Sequence, residues 1–280
     1  MSEFQAIWFT TSAIIITQLF MSVEYLFLFN KRRFTNDTLF AWNITSSRPG
    51  WIYTGWRIAI LNWLFSPQRL KIMVLARCLL ALTVFFIEKN NLYLSIILGM
   101  LFLISCLLNT RHFQGRDGAD EISNVVLFGL LAYYIVDHRL MARWAGPLFI
   151  VAQITLSYFI SGYYKAISAT WRSGNAVKMV VATEIYGQPR LSFILKNKAI
   201  AVTFSWIIIL WEVTFPLVWV IPYPYNLAWL FFGVLFHIVM AVMMGLNTFM
   251  FAFLSCYPLL YFFLTSEPNL LHKVFNVSSG

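Results

Sequence analysis

An all-α, polytopic membrane fold follows from three features of this sequence. Apolar residues gather in long runs with few charges inside them. They make up 60% of the 280 residues against 11% charged, too little charge to cover the surface of a water-soluble domain of this length. Trp and Tyr cluster where the runs end, as residues of an interfacial belt do. Mean hydropathy is +0.73, which fits a chain whose solvent is largely lipid.

The runs give eight expected transmembrane helices, at 6–30, 72–87, 92–108, 122–137, 146–164, 200–221, 226–245 and 247–264. A hydrocarbon core about 30 Å thick takes roughly 20 helical residues, so the second, third and fourth are short and should extend into their flanks. Two further segments suit interfacial helices. Residues 51–65 mix Trp51, Trp56 and Trp63 with Arg57, and 176–195 mix Lys178, Glu184 and Arg190 with apolar positions. Pro222-Tyr223-Pro224-Tyr225 reads as a tight turn between two spans. The first run has no basic residue before it and no small-residue cleavage site, so it is expected to be a retained span. No internal repeat is visible, and the whole of 1–280 reads as a single transmembrane domain.

The net charge of +9 is a topology signal here, because the basic residues flank apolar spans instead of forming a nucleic-acid surface. Fifteen Lys and Arg fall in 31–71, 109–121 and 165–198, and four, Lys89, Arg139, Arg143 and Lys273, fall on the opposite side. That asymmetry places the first set in the cytoplasm and both termini outside. Cys78, Cys106 and Cys256 all lie in apolar stretches, with no CxxC pair, and are expected to be buried thiols.

An ionisable group in hydrocarbon costs about 2.5–3.5 kcal/mol at mid-span, so each needs a partner or a purpose. Glu24 and Arg77 sit near the inner ends of their spans and read either as an ion pair or as an arginine reaching the interface. Gln153, Ser157, Ser161 and Lys165 recur every four residues and form one polar stripe on the fifth span. Lys165 is then either a partly desolvated base or an interfacial lysine reaching water. Glu212 and His237 lie at matching depth in the sixth and seventh spans, which permits a hydrogen-bonded pair. His237 shares a heptad face with Gly233, Met240, Met244 and Asn247, and no second His at helical spacing supports a metal site. His112, Asp117, Asp120 and Glu121 suit either a cation loop or a solvated acidic one. P-loop, dinucleotide, GxSxG and HExxH signatures are missing.

Two stretches carry a family resemblance: YFISGYYKAISATWRSG from Tyr158 to Gly174, and FHIVMAVMMGLNTFMFAFLSCYPLLYF from Phe236 to Phe262. Together they resemble the HTTM family, the transmembrane domain shared by vitamin K-dependent gamma-glutamyl carboxylases and bacterial relatives. One of those relatives is required to mature a secreted sporulation-delaying peptide toxin. The motifs cover about 45 residues, within a looser hydropathy match over about 70–265. The resemblance implies a membrane-embedded carboxylase-like enzyme or enzyme subunit of a bacterial inner membrane. Its cofactor would be a reduced quinone, and its substrate a small hydrophobic peptide handled with a partner protein.

In the carboxylases, the lysine after the YF-x-x-G pattern deprotonates reduced vitamin K. Oxygen then attacks the ring, and the strong base so formed takes a proton from a glutamate. The matching residue is Lys165, and His237 matches a pocket-lining histidine. Tyr158, Ser161, Trp171 and Glu212 become pocket candidates, with Asn124, Asp117 and Asp120 at a closing loop. Asn124 stands where the carboxylases carry a catalytic histidine, and this sequence shows no large extramembrane domain after its last span. Both departures favour the shorter toxin-maturation relatives. The rival readings are a non-catalytic scaffold, immunity or export component, and a transporter using Glu212 and His237 as a proton relay. Neither an inverted repeat nor a pair of broken helices supports the transporter.

Overall fold

A computed structural model describes residues 1–31, 41–87, 90–111, 118–136, 141–183 and 189–266. Fourteen α-helices and no strand occur among them. In chain order the helices are α1 (Glu3–Asn30), α2 (Trp42–Ser46), α3 (Gly55–Leu64), α4 (Pro67–Thr83), α5 (Asn91–Arg111), α6 (Gly118–Ile135) and α7 (Ala145–Ile167). They continue with α8 (Ala169–Arg172), α9 (Asn175–Ala182), α10 (Pro189–Ile194), α11 (Lys198–Thr214), α12 (Leu227–Met244), α13 (Asn247–Leu254) and α14 (Tyr257–Thr265).

Six segments are long and apolar enough to cross a bilayer: Glu3–Asn30, Asn91–Arg111, Ala142–Ile167, Lys198–Trp219, Leu227–Met244 and Asn247–Thr265. Each of the eight expected spans contains α-helix among the described residues, but α4 and α6 fall short of that standard. α4 has only 17 residues, and α6 carries Asp120 and Glu121 in its first turn. The acidic pair suits a helix N-terminus, where the macrodipole favours negative charge.

Local signals account for the ends. Ser2 and Gln5 form a reciprocal capping box on α1, with Ser2 N–H donating to Gln5 Oε1 (2.9 Å) and Gln5 N–H to Ser2 Oγ (3.2 Å). Asn197 caps α11 by accepting from the amides of Ala199 and Ile200. α12 ends on Gly245 at φ 70°, the left-handed conformation that glycine adopts without a Cβ penalty. The 222–225 turn is present, with Tyr225 N–H donating to Pro222 O at 3.0 Å.

Four expected helical segments are less regular in the structure. The sixth span passes at Phe215–Trp219 into a 3-10 turn beginning beside Pro216, and the eighth is broken between α13 and α14 ahead of Pro258. Proline lacks the amide that would continue the α ladder, so these two spans are not regular throughout. The expected interfacial helix over 176–195 is two short helices, α9 and α10. The 51–65 segment is a 3-10 turn, Trp51–Tyr53, followed by α3, with all three tryptophans exposed.

The contacts group into two compact units, 11–146 and 1–10 with 147–280. In the first, Leu61, Phe65, Leu70, Val74 and Leu108 form a core cluster. Arg77, 2% exposed, donates from Nε to Ser22 Oγ (2.9 Å) and stacks over Tyr25, while Glu24 is exposed. The hydrogen bond of Arg77 thus goes to Ser22 and not to Glu24. Asn109 joins α5 to α6. With its amide nitrogen facing the acceptors, it donates to Ser105 O and Asp120 Oδ1 and accepts from Asn124 Nδ2. In the second unit, Val177, Val181, Leu195 and Ala201 pack together with Trp171.

Burial on α1 differs from that of a soluble helix, because polar residues share its buried face with Ile14 and Ile15. Thr10, Thr11, Thr17, Gln18 and Ser22 are fully buried, whereas Phe4, Phe9, Val23 and Phe27 are exposed. Polar side chains thus turn inward while large apolar ones face outward, an arrangement a lipid solvent allows. Cys256 is buried, and Cys78 and Cys106 are half-buried free thiols.

Glycine spacing gives a direct test. A Cβ on Gly146 would run into the Gly129 carbonyl oxygen of α6, whereas one on Gly99 would meet Leu131 at an ordinary 3.6 Å. Gly146→Ala should cost about 1–3 kcal/mol in unfolding free energy. Gly99→Ala should be neutral or stabilise by up to about 1 kcal/mol through helix propensity. Thermal unfolding in detergent reads both, and equal midpoints would refute the close approach of α6 to the start of α7.

Candidate functional site

The site is built on α7, where the spacing noticed in the sequence becomes geometry. Positions 158, 161, 162 and 165 fall on one side of the helix because they are three or four residues apart. Gly162 brings α11 close: a Cβ there would lie 2.6 Å from Val213 N and 2.7 Å from Glu212 Cβ. Any larger residue would push the two helices apart. The missing side chain is what lets Glu212 reach Lys165.

Lys165 Nζ donates to Glu212 Oε2 (2.6 Å) and Oε1 (2.8 Å) and to Ser161 Oγ (2.5 Å). Ser161 Oγ in turn donates to Glu212 Oε1 at 3.4 Å. The two charged side chains are 17% and 4% exposed, so both charges are largely withdrawn from solvent. All three donors of the ammonium are used. Its centre also lies 5.2 Å from the Trp171 ring, a cation–π contact.

Trp171 is fixed from two sides. Its carbonyl accepts from Ser205 Oγ of α11 (2.6 Å), and Ser168 caps the short α8 that carries it. Arg172 closes the end of α7 by donating to the carbonyls of Ala166 and Ile167. Gly174, at φ 74°, lets this turn approach the backbone of Ala201.

A second polar group lies on the same face of α7. Tyr158 Oη is 2.6 Å from His237 Nε2 of α12 and 3.1 Å from Tyr257 Oη of α14. Gly233 leaves the space that the Tyr257 hydroxyl fills, since a Cβ there would overlap it. His237 is fully buried against Phe249 and Phe253, and its Nδ1 makes no hydrogen bond.

A cavity of about 510 Å³ connects these groups. Ser157, Tyr158, Ser161, Lys165, Trp171, Glu212 and His237 line it, and the rest of the wall is Val, Ile, Phe and Met. The size suits a small-molecule pocket, and a few polar groups in an apolar wall can orient a ligand.

The structure therefore brings together Lys165, His237, Tyr158, Ser161, Trp171 and Glu212. It separates other expectations. The Glu212–His237 hydrogen bond is not formed, because Glu212 turns to Lys165 and His237 to Tyr158. Lys165 does not reach out as an interfacial lysine. Asn124 and Asp120 do not line the cavity but sit on α6 in the other unit, and Asp117 and His112 lie outside the described residues. Among the described residues, no three His, Cys, Asp or Glu side chains gather to hold a metal. Asn247 starts α13 after the left-handed Gly245, which takes it off the heptad face of His237.

Sequence reasoning missed Tyr257 and the spacer roles of Gly162 and Gly233. Both glycines stood beside chosen residues, and a glycine three positions from an intramembrane lysine was the available signal. No family model, no curated protein and no solved structure matches the chain.

The buried pair makes a stability prediction. Lys165→Met or Glu212→Leu alone leaves one charge without its partner and should cost about 3–5 kcal/mol. The double variant should recover most of that loss. A double-mutant cycle from detergent unfolding measures it, and additive single losses would rule out the coupling.

Proposed function

We propose that this chain is a membrane-embedded enzyme, or the membrane subunit of one, of the carboxylase-like class. The supporting observation is the Lys165–Glu212 pair on the wall of a largely apolar cavity. An apolar molecule with an acidic hydroxyl fits there, with its ring against the Val, Phe and Met wall and its hydroxyl at the pair. A lipid-soluble quinol meets that description, and when bound it would supply the acidic hydroxyl and two reducing equivalents.

The pairing refines the role of each residue. An ammonium that already donates three hydrogen bonds has no lone pair for a proton, whereas the carboxylate has. Glu212 therefore accepts the proton of the bound hydroxyl. Lys165 then turns from a neutral carboxyl to the new oxyanion, so charge is conserved and held in contact throughout. Ser161 keeps the ammonium in place, and Trp171 closes over it. His237 and Tyr158 hold the far end of the cavity. A small hydrophobic peptide, presented by a partner protein, is the proposed downstream substrate.

Eight spans with the basic set inside complete the reading, with the bacterial inner membrane as its location. In a cysteine-free background, Ser173→Cys should resist impermeant maleimide in intact cells and react after permeabilisation. Tyr225→Cys should react in both. The reverse pattern would invert the orientation.

The activity test compares wild type with the Lys165→Met, Glu212→Leu double variant, whose charges are removed together. Mass spectrometry of bound lipids should find a quinone in the wild type. Oxygen-dependent quinol oxidation should fall by about 10²-fold or more in the double variant, the usual contribution of a general acid–base group. Undiminished oxidation, or phospholipid alone in both proteins, would favour the scaffold reading.

A further inference from the structure

The cavity has two polar ends, and only one is used by the reaction proposed above. Tyr158 and Lys165 are seven residues apart on α7, nearly two full turns, so they share a face at about 10 Å separation along the axis. Lys165, Glu212 and Ser161 mark one end. His237, held by Tyr158 at 2.6 Å, marks the other. Between them the wall is apolar, with Val177, Phe204, Met240, Met243 and Phe249.

His237 is the unexplained group. Its ring is on the cavity wall, its Nε2 is bonded to Tyr158, and its Nδ1 has no partner although the residue is fully buried. A buried polar nitrogen without a partner is unfavourable, and a ligand group bonding it would remove that cost. Among the described residues, Lys165 and Glu212 are the only charged side chains on the wall, and they neutralise each other. A ligand arriving with a net charge would find no counter-charge, so the resting site selects a neutral one.

We infer that the cavity takes an elongated, uncharged, mostly apolar ligand with a hydrogen-bonding hydroxyl or amide at each end. One end sits at the Lys165–Glu212–Ser161 cluster and the other on the His237 imidazole. This rests on reading the cavity as the substrate site. It adds that His237 measures ligand length, which a single ring oxygen at the Lys165 end does not require.

The probes are 4-(ω-hydroxyalkyl)phenols with chains of two to six carbons, each against the 4-alkylphenol of equal length. Binding is measured calorimetrically to the full chain in detergent. The wild type should prefer one diol by about three- to tenfold over its mono-hydroxyl partner, with an optimum in chain length, as one added hydrogen bond allows. In His237→Phe that preference should vanish, and comparing the two proteins cancels partitioning into detergent. Should His237→Phe fail to fold, ¹⁵N-histidine NMR gives a second readout. In a chain with His112, His138 and His272 changed to Gln, the Nδ1 resonance of His237 should move with the diol and not with the mono-ol.

No diol preference, a preference that survives in His237→Phe, or an unmoved Nδ1 resonance would overturn the inference. Equal binding of both probes with charge-pair-dependent quinol oxidation would overturn it alone. Phenol binding and quinol oxidation both unchanged in the Lys165→Met, Glu212→Leu protein would instead remove the proposed function.

Discussion

Opposite charges persist in hydrocarbon only when they are held in contact, and that requirement organises the second unit of this protein. Lys165 and Glu212 lie 47 residues apart in sequence, yet their charged atoms meet at 2.6 Å. Contact at that distance needs the α7 and α11 backbones close together, which Gly162 permits. It also needs the third ammonium donor to be used, which Ser161 accomplishes one turn earlier. The Trp171 turn, anchored to α11 through Ser205, then covers the charge. Removing either charge of the pair leaves the other buried without its partner.

The same logic, with neutral groups, governs the far end of the cavity. Tyr158, His237 and Tyr257 meet across three helices through hydroxyl and imidazole contacts. Gly233 provides the space for that meeting, as Gly162 does for the ion pair. In lipid there is little hydrophobic drive between helices, so close packing and interhelical hydrogen bonds carry association. Small residues beside polar ones are therefore the natural way to build a site here. On α1 the consequence is visible without any site at all, since its threonines are buried while Phe4, Phe9, Phe20 and Phe27 are exposed.

Much of the fold was legible because the solvent writes it plainly. A helix that must satisfy every backbone group inside a bilayer shows as a long apolar run, whatever its neighbours. Where the sequence misjudged, the cause was local. Pro216 and Pro258 interrupt helices whose hydropathy is continuous, because hydropathy does not record a missing amide. The 176–195 stretch averaged two short helices, α9 and α10, into one amphipathic segment. Broken helices had been the feature wanting for a transporter. Two are present, but the Glu212–His237 relay that reading also needs is not formed.

The candidate site divides the same way. Sequence by itself determined the long apolar helices, the polar stripe of Gln153, Ser157, Ser161 and Lys165, and the positions of Glu212 and His237 within those helices. These follow from periodicity and from the cost of polar groups in lipid, both properties of one helix at a time. Only the tertiary structure decided who pairs with whom. Depth matching suggested Glu212 with His237 and Glu24 with Arg77. The structure chose Lys165 for Glu212, Tyr158 for His237 and Ser22 for Arg77. Depth fixes only one coordinate of a side chain. The rotation of each helix and the distance between backbones fix the others, and those depend on glycines and neighbours from distant parts of the chain.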